Sequence, residues 1–518
     1  MKKILPVLFF LFSLSTSAQQ PTLLSLKVTG GNGSDIVLTP VTKTIDGGFI
    51  ISYQTGSTFG PINSLCSITN PKMIFQKYNA DASIIEWSKC YAKDGDSFLI
   101  YMFPQNDGTT IFGGEFTGTW GFYITKHDAF DNIVWSKSYS RGNGPLLYDM
   151  IATSDGGYIM VGDVYYTDTN FTVHNSGSLN ADIGVIKLDS LGNKEWSKAI
   201  GGSGDDNGNK VVAGINCYYI VGNTLSYDSD CTGKHLNYDA YLAKLDKGGN
   251  IIWHHDLGGD GADDGRYACA DGKGGIIIAA TSSSSDGDVL HHINAGADNI
   301  WAVAVDSNNN IVWSNCYGGG GGEYPNSICM ATDGSIWIAG VSYNKGGEVD
   351  TAYGNEDAWI VHTDSEGNYL NAKVLGSSKR DKSYMICPLS NGEVIAGGYY
   401  DDSNGLFSNS LYYGGFDDGF LAVFAPETQT KVSQLTNTEN GINVFPNPAK
   451  DELRIMVTPG VSGKITITNT LGQIVYNGQV APQNKFTEIE TSGWGNGLYV
   501  VLWHGADGKT LSAKFMKN

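Results

Sequence analysis

The feature that constrains this chain most is a recurring stretch, clearest in Gly192-Asn193-Lys194-Glu195-Trp196-Ser197-Lys198-Ala199-Ile200-Gly201-Gly202, with a tryptophan in the middle and a glycine pair behind it. Trp87, Trp135, Trp253, Trp313 and Asn371 stand in the same frame. Five residues past each anchor a new unit begins, at Ala92, Ser140, Gly201, Gly258, Gly318 and Gly376, and Gly30-Gly31 opens the same pattern near the front. The seven starts lie 48 to 62 residues apart. A unit copied at this spacing and punctuated by turn signals is one supersecondary element that buries its faces only against its neighbours.

Within a unit the order of signals is regular. In the third, strand A reads Leu147–Ala152, strand B Tyr158–Gly162, strand C Ile183–Leu188 and strand D Lys194–Ile200. The A–B turn carries Asp155-Gly156 and the C–D turn Gly192-Asn193, residues that accept the positive φ of tight hairpins. The tryptophan stands seven residues after the C–D aspartate at Asp128, Asp189, Asp246 and Asp306, a fixed place from which a large ring can wedge against the next unit. Four short antiparallel strands per unit predict the blade of a β-propeller. The last unit, from Gly376, stops without a strand D, whereas Leu23–Thr29 precede Gly30-Gly31 where a strand D would stand. The expected fold is therefore all-β: a seven-bladed propeller over 23–425, closed by its N-terminal strand so that no sheet edge is left open. Residues 426–440 turn polar and read as a linker. Residues 441–518 alternate again, as in Leu453–Val457 and Gly463–Thr468, and predict a small β-sandwich.

Lys2 and Lys3, an apolar run from Ile4 to Leu14 and small residues up to Ala18 have the form of a signal peptide over 1–18. No later stretch is long and apolar enough for a transmembrane segment. The net charge of −20 opposes phosphate backbones, so nucleic acid is not an expected partner. Export invites a search for disulfides among the eight cysteines. Cys269, Cys329 and Cys387 occupy one equivalent place and Cys90 and Cys316 another, a full unit apart, so these five read as buried free thiols. Cys66, Cys217 and Cys231 remain, and a Cys217–Cys231 bridge within one unit stays open.

In the tail, Val444-Phe445-Pro446-Asn447-Pro448, Asp451-Glu452-Leu453, Thr468-Asn469-Thr470-Leu471-Gly472-Gln473, Gly493-Trp494-Gly495-Asn496-Gly497-Leu498-Tyr499 and Lys514-Phe515-Met516-Lys517 follow one another in a set order. This order resembles the type A C-terminal sorting domain of the type IX secretion system of Bacteroidota. The resemblance implies a cargo that crosses the inner membrane by its signal peptide and then the outer membrane from the periplasm, through the type IX machinery, to be secreted or held at the cell surface. The repeat, best seen in Lys187-Leu188-Asp189-Ser190-Leu191-Gly192-Asn193-Lys194-Glu195-Trp196, is similar to propeller repeats of secreted bacterial proteins and to the tryptophan-docking motif of quinone-dependent dehydrogenases. That motif packs blades together and does not imply a quinone.

Signatures of local chemistry are sparse. There is no Gly-x-Ser-x-Gly elbow, no phosphate-binding loop and no His-Glu-x-x-His. The loops between strands B and C carry carboxylates spaced by one residue, Asp228 with Asp230 and Asp286 with Asp288, which are the candidate ligands for a Ca²⁺ ion. Asp182, Asp239, Asp357 and Asp418, which open strand C, read as turn residues. The B–C loops, such as Ser282–Val289, are expected to form a variable, functional rim. The reading carried forward is a non-catalytic module that binds a glycan or protein ligand and needs no cofactor. The alternatives are a propeller-type polysaccharide hydrolase or lyase, with carboxylates from several blades around one pocket, and a quinone-dependent oxidoreductase.

Overall fold

The computed structural model describes residues 20–425 and 442–517, apart from several loops (chiefly 58–71, 140–145, 166–169, 172–179 and 409–416) and short turns of the tail. The expected signal peptide and linker lie outside these residues. The chain divides into two compact units, one up to residue 427 and the other from 428.

Among the described residues the first unit is built of seven four-stranded antiparallel sheets, each ordered A-B-C-D. Strands B and C are mostly buried, along their whole length in Tyr158–Val164 and Asp182–Leu188, while strand D is half exposed. The middle strands lie between neighbouring sheets on both faces, which is why their sequences are near-continuous apolar runs rather than alternating ones. Turn chemistry sets the hairpins. Gly156 takes a φ of +83° at an A–B turn, and at a C–D turn Asp189 Oδ1 accepts the N–H groups of Leu191 and Asn193 at 2.9 and 2.7 Å. Asp246, Asp306 and Asp364 repeat this capping.

The seventh sheet is made of Asp381–Pro388, Val394–Tyr400 and Asp418–Phe424, and its outer strand is Leu23–Thr29 from the other end of the unit. Leu26 stands opposite Ala422 and Val28 opposite Phe420 in that pairing. The first strand A, Asp35–Lys43, lies against the seventh sheet, and the Asp35 N–H donates to the Asp417 carbonyl at 2.8 Å.

One expectation about cysteine needs correction, and the Cys217–Cys231 pairing left open is decided by where those residues lie in the fold. Cys90 is disulfide-bonded rather than free, to a partner outside the described residues. Cys217 and Cys231 are both buried free thiols. Cys217 begins the strand Cys217–Thr224 and Cys231 lies beyond its far end, which at about 3.3 Å per residue puts roughly 20 Å of strand between them.

The second unit has a three-stranded sheet and a four-stranded sheet, Ile474–Val480, Gly463–Asn469, Gly497–Gly505 and Thr510–Lys517. Leu453, Ile455 and Ile489 from the first sheet share one buried cluster with Ile465, Val501, Trp503 and Phe515 from the second.

Candidate binding site

In five of the seven units strand A opens with a carboxylate five residues after the start of the unit. Asp35, Asp206, Asp263, Glu323 and Asp381 are all fully buried. They bind the chain that precedes them and the end of strand B. Asp263 Oδ2 accepts the Gly259 N–H at 2.8 Å and the Ser284 hydroxyl at 2.6 Å, and Oδ1 accepts the Ser282 hydroxyl. Asp206 does the same with Gly202, Thr224 and Ser226.

Just inside this carboxylate the A–B ladder slips by one residue, between Gly208 and Lys210, Gly265 and Tyr267, Pro325 and Ser327, and Ser383 and Met385. A bulge re-aims the extra residue. Arg266, Asn326 and Tyr384, the extra residues of three consecutive sheets, line a cavity of about 660 Å³. The residues directly after the buried carboxylates, Asn207, Asp264, Tyr324 and Lys382, line it as well, and Tyr238, Asp298 and Tyr343 come from the loops above them.

The polar groups here hold one another in fixed positions. Asn223 accepts the Gly265 N–H at 2.7 Å and donates to Asp264, which also pairs with Arg266. Tyr324 donates to Asp298 at 2.7 Å. Lys382 pairs with Glu356 at 3.0 Å. The Tyr324 and Tyr343 rings meet edge to face at 5.8 Å, and Tyr384 and Tyr399 lie 5.9 Å apart. Burial, then the Asp298 carboxylate, pushes the Tyr324 hydroxyl up to about 12. Burial and Glu356 push Tyr343 to about 12 as well. Burial works upward on Glu356 too, but Tyr343 and Lys382 hold it below its ordinary value. These tyrosines are therefore neutral donors and aromatic surfaces rather than bases. Among the described residues no histidine, serine or cysteine lines the cavity.

The aspartates singled out in the B–C loops lie elsewhere, where the carboxylates of three of them accept backbone N–H groups of turns. Asp228 Oδ1 accepts the Ser203 N–H at 2.7 Å, and Asp286 Oδ1 the Asp260 N–H at 2.8 Å. Asp288 Oδ2 faces the Gly258 N–H at 3.3 Å, and the Asp230 carbonyl accepts the Tyr241 hydroxyl at 2.9 Å. Among the described residues no group of three or more His, Cys, Asp or Glu side chains converges as a metal site. Within Ser282–Val289, Ser282 and Ser284 bind Asp263, and Val289 is 2% exposed in the core. The cavity residues escaped sequence reading because a bulge breaks the two-residue period. Their one signal is a fixed offset of three residues from the buried carboxylate.

Residues 443–518 match the family described as "Secretion system C-terminal sorting domain". No curated protein sequence matches the chain. Among solved structures, the chain is similar to the quinohemoprotein alcohol dehydrogenase of Comamonas testosteroni, with 10% identity and a TM-score of 0.40 over 82% of this chain and 79% of that one. It is also similar to a subtype N10 neuraminidase-like protein of influenza A/little yellow-shouldered bat/Guatemala/060/2010, with 10% identity and a TM-score of 0.34 over 78% and 99%. Residues 443–518 are a type IX sorting domain, and the protein is exported to the cell surface or the extracellular space by that machinery. Among the described residues no helix is long and apolar enough to cross a membrane.

Proposed function

We propose that residues 23–425 form a seven-bladed β-propeller closed by the strand Leu23–Thr29, and that it serves outside the cell as a carbohydrate-binding module. The closure is supported by the pairing of Leu23–Thr29 with Asp418–Phe424 and by the packing of Asp35–Lys43 against the seventh sheet. In this reading residues 1–18 carry the chain across the inner membrane and the sorting domain carries it across the outer one.

The observation that carries the sugar assignment is the cavity with Tyr238, Tyr324, Tyr343 and Tyr384 in its wall beside Asn207, Asn223, Asn326 and Arg266. Pyranose rings present apolar C–H faces and equatorial hydroxyls, and such a wall offers both aromatic surface and fixed donors and acceptors. Glycoside hydrolysis needs one carboxyl kept protonated as an acid beside a second, ionised one. The lining carboxylates Asp264 and Asp298 are already engaged by Arg266 and Tyr324, and Lys382 is paired with Glu356 behind the lining. The arrangement is suited to holding a glycan rather than cleaving it.

The test is affinity electrophoresis of the mature protein in gels containing a panel of neutral and acidic polysaccharides, with reducing ends assayed in parallel. Retardation by at least one polysaccharide without release of reducing ends is expected. New reducing ends or unsaturated products would replace this reading with the hydrolase or lyase.

A further inference from the structure

At the seams between the fourth and seventh sheets, the residue opening strand C of one sheet and the residue opening strand A of the next are both buried, and at the first two of these seams both turn toward the same glycine. The pairs are Asp239 with Asp263 at Gly258, Asn299 with Glu323 at Gly318, and Asp357, which turns toward Gly376, with Asp381, whose carboxyl feels the Asp357 charge. A Cβ on Gly258 would stand 2.5 Å from Asp263 Oδ2 and 3.1 Å from Asp239 Oδ1. One on Gly318 would stand 2.6 Å from both Glu323 Oε2 and Asn299 Nδ2, and one on Gly376 would stand 2.0 Å from Asp357 Oδ1.

The strand-C residues share one anchoring. Asn299 Oδ1 accepts the Ile293 N–H at 3.0 Å, Asp239 Oδ2 accepts the His235 N–H at 2.7 Å, and Asp357 Oδ2 accepts the Tyr353 N–H at 2.8 Å. This fixes which atom is left at the seam. In Asn299 it is the amide nitrogen, which donates to Glu323 at 3.4 Å. In Asp239 and Asp357 it is Oδ1, buried and without a hydrogen-bond partner among the described residues. An ionised oxygen there would bury like charges side by side with no donor between them. The seam where the chain has Asn in place of Asp shows the requirement, which is a donor.

We propose that Asp239 and Asp357 are protonated and donate an Oδ1–H to the carboxylates of Asp263 and Asp381, so that each seam holds one proton shared by two side chains. The other groups facing Asp239 and Asp263 are His235, whose Nδ1 is 3.2 Å from Asp239 Oδ2, Cys316, Ser282, Ser284 and, across the Gly258 N–H, Asp288. Facing Asp381 are Ser377 and the Asp401 N–H, while Glu356 beside Asp357 binds Lys382. Burial, with a smaller push from the paired carboxylate and against the hydrogen bonds from His235 and Ser377, lifts Asp239 to about 6 and Asp381 to about 7, and burial raises Asp263 and Asp357. Each proton belongs to its pair. Because the folded state holds these protons more tightly than the unfolded chain, their stabilisation is complete below about pH 4 and is lost as pH rises through about 6 to 7.

The test compares the melting temperature of the mature full-length protein with that of the Asp239→Asn/Asp357→Asn double variant, which has at both seams the donor that Asn299 supplies. Between about pH 5 and pH 8 the wild type is expected to lose roughly 3 °C more than the variant. Equal pH dependence in the two overturns the proposal. Infrared spectra of the wild type provide a check that does not depend on the variant's folding: a carboxylic-acid carbonyl band is expected to persist near pH 5.5 and to vanish by about pH 8, and its absence near pH 5.5 overturns the proposal. Each melt is repeated with calcium and with chelator. A calcium-dependent rise that the double variant loses would assign the seam to a cation and overturn the shared proton.

Discussion

Trp196 donates its indole N–H to the carbonyl oxygen of Lys247 at 3.0 Å, reaching 51 residues along the chain into the C–D turn of the next sheet. Its ring covers Gly249, whose φ is +84°. Trp253 repeats the contact with Ser307 at 3.2 Å, and the rings of Trp135 and Trp313 cover Gly192 and Gly367. The tryptophan that marks the repeat in the sequence is thus a clasp between consecutive sheets.

Gly249→Ala tests the clasp. A Cβ there would stand 2.7 Å from the Trp196 ring, on a backbone already in the left-handed region. A loss of about 2 kcal/mol is expected in denaturant unfolding. Trp196→Phe, which keeps much of the packing but not the donor, is expected to lose about 1 kcal/mol.

The buried carboxylate at the head of strand A ties together three donors. Asp206→Ala would strand the Gly202 N–H and the Thr224 and Ser226 hydroxyls. The expected destabilisation is about 3 kcal/mol or more, with unfolding that remains cooperative if the other sheets hold. Asp286→Ala, which removes one turn acceptor from Asp260, should lose only about 1 kcal/mol by the same measurement.

Much of the fold was legible because the units repeat the same physics: a glycine pair, two hairpin turns and a tryptophan at constant spacing. The terminal strand was legible as a missing strand D at one end and an unpaired one at the other. The role of the aspartates was harder to read. Asp228 and Asp286 have the composition of a cation loop, but their oxygens face N–H groups of neighbouring turns. The site was least legible, because Arg266, Asn326 and Tyr384 share no residue type and owe their placement to a bulge. Cys90 was misread because a repeated position suggested a repeated role, whereas its chemistry depends on a partner specific to one unit.

Removing residues 20–29 from the mature protein should expose the edge of Asp418–Phe424 and the apolar surface covered by Leu23, Leu26 and Val28. A broadened, lower melting transition and concentration-dependent aggregation are expected. Truncation before Gln20 should leave the transition in place. Light scattering during the melt separates the two outcomes.

The measurement that tests the central claim most directly is calorimetric titration of the mature protein with an oligosaccharide from whichever polysaccharide retards it. The comparison is with a Tyr324→Ala/Tyr384→Ala variant whose melting temperature has been checked against the wild type. If the tyrosine-lined cavity is the sugar site, the variant should bind at least about tenfold more weakly while remaining folded. Undiminished affinity in a folded variant would place the ligand elsewhere and contradict the assignment.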